Sequence, residues 1–183
     1  VFTVSNGAFF EMSGTSAYPA SYGTYTYGAT STVRYLQSGA LTVTNATYGN
    51  LDLKPSAAVT FTLPANLTVA GNLTLGDGAT AVTVTAATNN PAITVRGDMT
   101  IAANATYTKG SSTTTFAKGG TQTLTDNTAG QDFGAVAVAV NTTNTMLNLG
   151  SSVTMTSLTI NGGDGNDTLT VDYARAKGAK AIV

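Results

Sequence analysis

Cysteine, histidine and tryptophan are all absent from this chain of 183 residues, and only 9% of it is charged. Without cysteine there are no disulfides, no thiolate metal sites and no thiol nucleophile. Without histidine, the commonest general base, the Ser-His-Asp arrangement and imidazole-based metal sites are excluded as well. Acids and bases nearly balance, nine against eight, so no basic surface is available for nucleic acid or anionic lipid, and neither is expected as a partner. No run of about 18 consecutive apolar residues occurs, so no helical membrane span is expected. Glutamate is present once, at Glu11. Long helix formers are therefore scarce.

What is abundant is threonine, at 36 positions, alongside 20 glycines and a hydrophobic fraction of 42%. A β-branched hydroxyl residue suits a pleated, half-exposed strand, while Gly and Asn suit the turns between strands. The class is all-β. The clearest pattern lies between Asn66 and Ile101, where one phrase is written twice. Leu67-Thr68-Val69-Ala70-Gly71-Asn72-Leu73-Thr74-Leu75 is answered 26 residues later by Ile93-Thr94-Val95-Arg96-Gly97-Asp98-Met99-Thr100-Ile101. Each copy alternates apolar and Thr, turns at Gly followed by Asn or Asp, and alternates again, which is strand, tight turn, strand. A shortened third copy runs from Val153 to Ile160.

Such a unit cannot bury its apolar face alone, and stacked copies form a continuous core. With three short strands in each coil of about 22 to 26 residues, the length predicts roughly seven or eight coils. An antiparallel β-sandwich is the competing fold. A longer repeat is also legible: Thr24–Gly28 answers to Thr106–Gly110 at an offset of 82, and Phe61–Leu63 to Leu147–Leu149 at 86. It suggests two halves of several coils each. The organisation expected is an amino-terminal cap or assembly segment at 1–22, solenoid repeats over 23–171, and a carboxy-terminal cap or tail at 172–183. Beginning at Val1 in strand-like alternation, the chain reads as a processed product or a piece of something longer.

Phrases such as Tyr48-Gly49-Asn50-Leu51-Asp52-Leu53, Leu67–Leu75 and Thr106–Phe116 resemble the repeats of very large secreted bacterial surface proteins of the adhesin, autotransporter-passenger and filamentous-haemagglutinin type. The resemblance covers about 23–171 and implies a right-handed parallel β-helix. It also implies an extracellular or cell-surface location and a role as scaffold, adhesin or self-assembling subunit.

The carboxylates stand mostly alone beside glycine in turns, where an Asp that satisfies its own backbone is the ordinary explanation, so no enzyme is expected. Gly162-Gly163-Asp164-Gly165-Asn166-Asp167-Thr168-Leu169-Thr170 fits one repeat of a calcium-binding β-roll. Asp164, Asn166 and Asp167 are then the candidate ligands for Ca²⁺, against a plain Gly/Asp turn. No cofactor is otherwise required. Tyr25 and Tyr27 are candidates for stacking on a surface glycan. Asn45, Asn66, Asn72, Asn104, Asn141 and Asn166 each open an Asn-x-Thr sequon, only slightly more than this composition produces.

Parallel coils leave unpaired N–H and C=O groups at their first and last rungs, which pair with another copy unless capped. Val1, Phe2 and Val4 at one end, and Ala181, Ile182 and Val183 at the other, are the candidate assembly residues of a head-to-tail homopolymer.

Overall fold

A computed structural model describes residues 1–15, 18–19, 22–128, 130–139, 145–151, 153–161 and 168–170, and these contain twenty strands and no helix. The strands lie on three faces. The first carries β1 (Phe2–Val4) paired with β3 (Tyr25–Tyr27), then a six-stranded sheet of β6 (Thr47–Tyr48), β9 (Asn66–Val69), β12 (Ala92–Val95), β15 (Thr114–Phe116), β17 (Ala135–Ala139) and β19 (Ser157–Asn161). Tyr27 stacks on Tyr48 at 5.2 Å between ring centroids and joins the two parts.

The second face is one sheet of eight: β2 (Phe9–Gly14), β4 (Thr32–Gln37), β7 (Asn50–Leu53), β10 (Leu73–Leu75), β13 (Met99–Ile101), β16 (Gly120–Asp126), β18 (Thr145–Leu149) and β20 (Thr168–Thr170). The third carries β5 (Leu41–Thr42), β8 (Val59–Thr62), β11 (Val82–Thr85) and β14 (Ala105–Thr108).

Every strand pair among the described residues is parallel. The sandwich is thereby excluded, and the fold is a parallel β-solenoid. Six turns, from β6 to β20, carry both long sheets, and β1 to β5 add two rungs before them. The first of those rungs comes from the segment 1–22, whose β1 and β2 pair in register with β3 and β4.

The duplicated phrase does in space what its spelling predicts. Leu67 pairs with Ile93, Val69 with Val95, Leu73 with Met99 and Leu75 with Ile101. Like residues thus stack on like. Apolar columns such as Leu51, Leu73, Met99 and Leu124 fill the bore, each 1% exposed or less. Burying one such side chain stabilises the fold by about 1.5–3 kcal/mol. The threonines between them face out.

The 82-residue repeat is not a structural one. Tyr25–Tyr27 lies on the first face and its partner phrase, β14, on the third; Phe61 lies on the third and Leu147 on the second. The reason is arithmetic. Four coils separate Val33 from Leu124, which is 91 residues, so an offset of 82 falls one strand and one turn short. All three faces are built from the same alternation of Thr with an apolar residue, so a phrase matches its neighbour face as readily as its own. The third copy slips likewise: Val153–Met155 contributes one isolated bridge, Thr154 to Asp132, and Leu158 then pairs with Val136 on the first face.

Candidate functional site

The corner between the first and second faces explains why Gly precedes Asn or Asp. Asn50 Oδ1 accepts the main-chain N–H of Asn72 at 2.8 Å, Asn72 Oδ1 that of Asp98 at 2.9 Å, and Asp98 Oδ1 that of Thr123 at 2.8 Å. Each side chain crosses to the next coil over the glycine there. A Cβ on Gly71 would stand 2.2 Å from Asn50 Oδ1, and one on Gly97 would stand 2.4 Å from Asn72 Oδ1. At the following coil Gln122 takes the glycine's place, fully buried, and donates to the carbonyls of Val95 and Gly97 at 3.1 and 2.7 Å.

Outward columns continue the same registers. On the second face Glu11, Arg34 and Asp52 alternate in sign over three rungs, with Arg34 at 3.4 Å from Glu11 and 3.0 Å from Asp52. Lys54 adds a second cation to Asp52 at 3.1 Å, and the Arg34 guanidinium lies 4.7 Å from the Phe9 ring centre. Beyond Asp52 the column becomes Thr74, Thr100 and Thr125. Sequence reasoning missed this ladder; aligning successive coils would have shown it.

Asp77, Asp126 and Asp132 serve their own turns. Asp77 accepts from the amides of Thr80 and Ala79, which hold its carboxyl below the usual range. Asp126, 5% exposed, accepts from the amides of Thr128, Gly130 and Gln131 and from the Thr128 hydroxyl. Asp132 is lowered by the Lys109 ammonium and by the amide of Gly134. Among the described residues no three His, Cys, Asp or Glu side chains gather as a metal site, and no helix is long and apolar enough to cross a membrane. Asp164, Asn166 and Asp167 lie outside the described residues, as do Asn141, Ala181, Ile182 and Val183.

Tyr25 and Tyr27 do not form an outward platform. Their strand turns Thr26 to solvent instead, the Tyr27 hydroxyl is buried, and the Tyr25 ring packs on Tyr18 with its hydroxyl donating to the Pro19 carbonyl. Alternation decides this, because in Thr24-Tyr25-Thr26-Tyr27 the hydroxyl residues take the wet side and the rings the bore. Deeper in, Tyr35 and Tyr48 hydroxyls meet at 3.0 Å, Tyr48 donates to the Thr44 carbonyl at 2.6 Å, and the Thr44 amide donates to Tyr35 at 3.1 Å. Burial pushes the Tyr27, Tyr35 and Tyr48 phenols above their ordinary pKa.

Of the sequon asparagines, Asn45, Asn66, Asn72 and Asn104 are exposed. The Asn104 amide nitrogen, the atom a glycan would occupy, donates to the carbonyls of Gly78 and Ala79 at 3.3 and 3.1 Å.

At the amino-terminal edge, Val1 is 79% exposed, Phe9 53% and Tyr22 43%, whereas Val4 is buried in the core. Phe2 is half-buried, 4.9 Å from Phe10 and 5.5 Å from Tyr22 between centroids. Of the three residues expected to assemble there, Val1 alone presents its side chain freely. The main chain is another matter. Thr32 N–H donates to Ala8 and Ser38 N–H to Gly14, so the even-numbered residues of β2 face β4. In a parallel ladder alternate residues point to opposite sides, so the N–H and C=O groups of Phe9, Glu11 and Ser13 face away from the described stack.

The chain matches no family model, no curated protein and no solved structure. Its class therefore rests on the coordinates, and the class is the parallel β-solenoid.

Proposed function

We propose that this chain is a structural module of an extracellular or cell-surface fibre, sheath or adhesin stalk, extended end to end by parallel strand pairing between copies. The observation that carries the reading is the outward-facing edge of β2. Six residues long and flanked by the exposed Phe9 ring, it offers the main-chain groups of three residues to another strand. The charge column ends there on Glu11, and continuing its alternation asks for a cation on the next rung. Residues 173–183 supply Arg175, Lys177 and Lys180 and no acid. The extracellular placement rests on the resemblance to secreted repeat proteins.

Negative-stain microscopy and sedimentation of the 183-residue chain test this. Filaments or an open series of oligomers that grows with concentration are expected. Ser13→Pro removes an N–H from the free edge alone, so it should shorten the series while the melting transition stays in place. Purely monomeric protein at all concentrations would overturn the reading.

A further inference from the structure

We infer that the outer side of the β5–β8–β11–β14 sheet binds the ordered water layer of ice. Strand registers place Thr42, Thr62, Thr85 and Thr108 in one column, and Thr60, Thr83 and Thr106 in a second. Between the columns Phe61, Val84 and Tyr107 point into the bore, 5% exposed or less, which turns every one of the seven threonines outward.

The array is two-dimensional and fixed by the backbone. Neighbouring rungs lie about 4.8 Å apart, and residues i and i+2 of one strand about 6.6 Å apart. Oxygen repeats on the faces of hexagonal ice fall in the same range. Each threonine offers a methyl, against which water orders itself, and a hydroxyl that anchors that water by hydrogen bonding. Its branched Cβ keeps the group in few rotamers, so the pattern exists before binding. The face is also neutral: 58–62, 81–85 and 104–108 contain no Asp, Glu, Lys or Arg, and the Tyr107 phenol is buried in the bore. Charged groups draw water radially around themselves and would break a lattice.

The other two faces lack this combination. The second carries Glu11, Arg34 and Asp52 in its outward column. The first is one threonine wide, through Thr47, Thr68, Thr94 and Thr115, and is interrupted at Ala137. Among the described residues the third face alone pairs two ranks of hydroxyls with strands free of charged residues, and Lys109, which follows β14, is neutralised by its pairing with Asp132. This is the chemistry of a neutral, regularly spaced ligand rather than of an ion or a charged polymer.

Ice recrystallisation in frozen sucrose solution, followed by microscopy, reads the activity directly. The wild-type chain should keep grains small against a buffer control and shape single ice crystals into facets. Thr83→Lys and Thr85→Lys, at the centre of the array, should return grain growth to the buffer rate. Thr100→Lys, on the second face, should behave as wild type, with far-ultraviolet circular dichroism establishing that all three variants fold. Grains that coarsen in wild-type protein as in buffer would overturn the inference. So would array variants as active as wild type, or a Thr100→Lys variant as inactive as the array variants. None of these outcomes depends on whether copies join end to end.

Discussion

Asn72 Oδ1 accepts the main-chain N–H of Asp98 at 2.9 Å, directly over Gly97, where a Cβ would stand 2.4 Å from that oxygen. The hydrogen bond and the missing side chain are two halves of one corner. Gly97→Ala must push the Asn72 side chain and the Gly71 backbone aside, at about 1–3 kcal/mol, the usual cost of overpacking. Asn72→Ala leaves the Asp98 amide without its partner and should cost about 1 kcal/mol at this exposed position. Urea midpoints measure both. If the double variant loses no more than Gly97→Ala alone, the two effects are coupled as described; full additivity would contradict it.

The buried phenols predict how the fold meets alkali. Burial raises Tyr27, Tyr35, Tyr48 and Tyr107 above the ordinary value of 10.0, so folding favours their protonated form. Their contribution is complete below about pH 10 and is lost as pH rises from there toward the folded-state values. Tyrosinate absorbance should therefore stay low for these four until the circular dichroism signal collapses, and the two should then change together. Ionisation of all eight tyrosines near pH 10 in folded protein would disprove the buried placement. Tyr48→Phe removes the donor to the Thr44 carbonyl and should cost about 1–2 kcal/mol at neutral pH.

Asp126 organises the turn that follows β16. With its carboxylate gone, the amides of Thr128, Gly130 and Gln131 lose their acceptor, and Asp126→Ala should destabilise the fold by about 1–3 kcal/mol. The loss should be local at first. Hydrogen exchange should accelerate at Thr128, Gly130 and Gln131 while Leu73 and Leu75 keep their protection, and uniform acceleration across all of them would argue against this role.

The stacking was legible in the sequence because residues at one offset pair in register, as Leu73 does with Met99 and Val69 with Val95. Within the duplicated phrase the apolar-Thr-apolar triplets Leu73–Leu75 and Met99–Ile101 are strands with the bounds their alternation gives them. Which face each strand occupies was not legible. Coil lengths vary, with 18 residues from Val33 to Leu51 and 26 from Leu73 to Met99, so a fixed offset drifts from one face to the next. The strand Thr47–Tyr48 is too short to alternate visibly. The outward columns needed register before composition could speak: Glu11, Arg34 and Asp52 are distant in the chain and adjacent only once the coils are laid over one another. Tyr25 and Tyr27 look like a surface pair because aromatic residues among threonines suggest a sugar platform, yet the alternation itself sends both rings inward.

Because every rung pairs only with those above and below it, the main-chain hydrogen bonds run along the long axis and connect the coils in series. Tension applied between the two ends is therefore carried by every rung alike, and the weakest gives way first. The molecule should lengthen in discrete steps, each releasing the slack of a single coil, so that a pull is absorbed gradually rather than ending in one abrupt rupture.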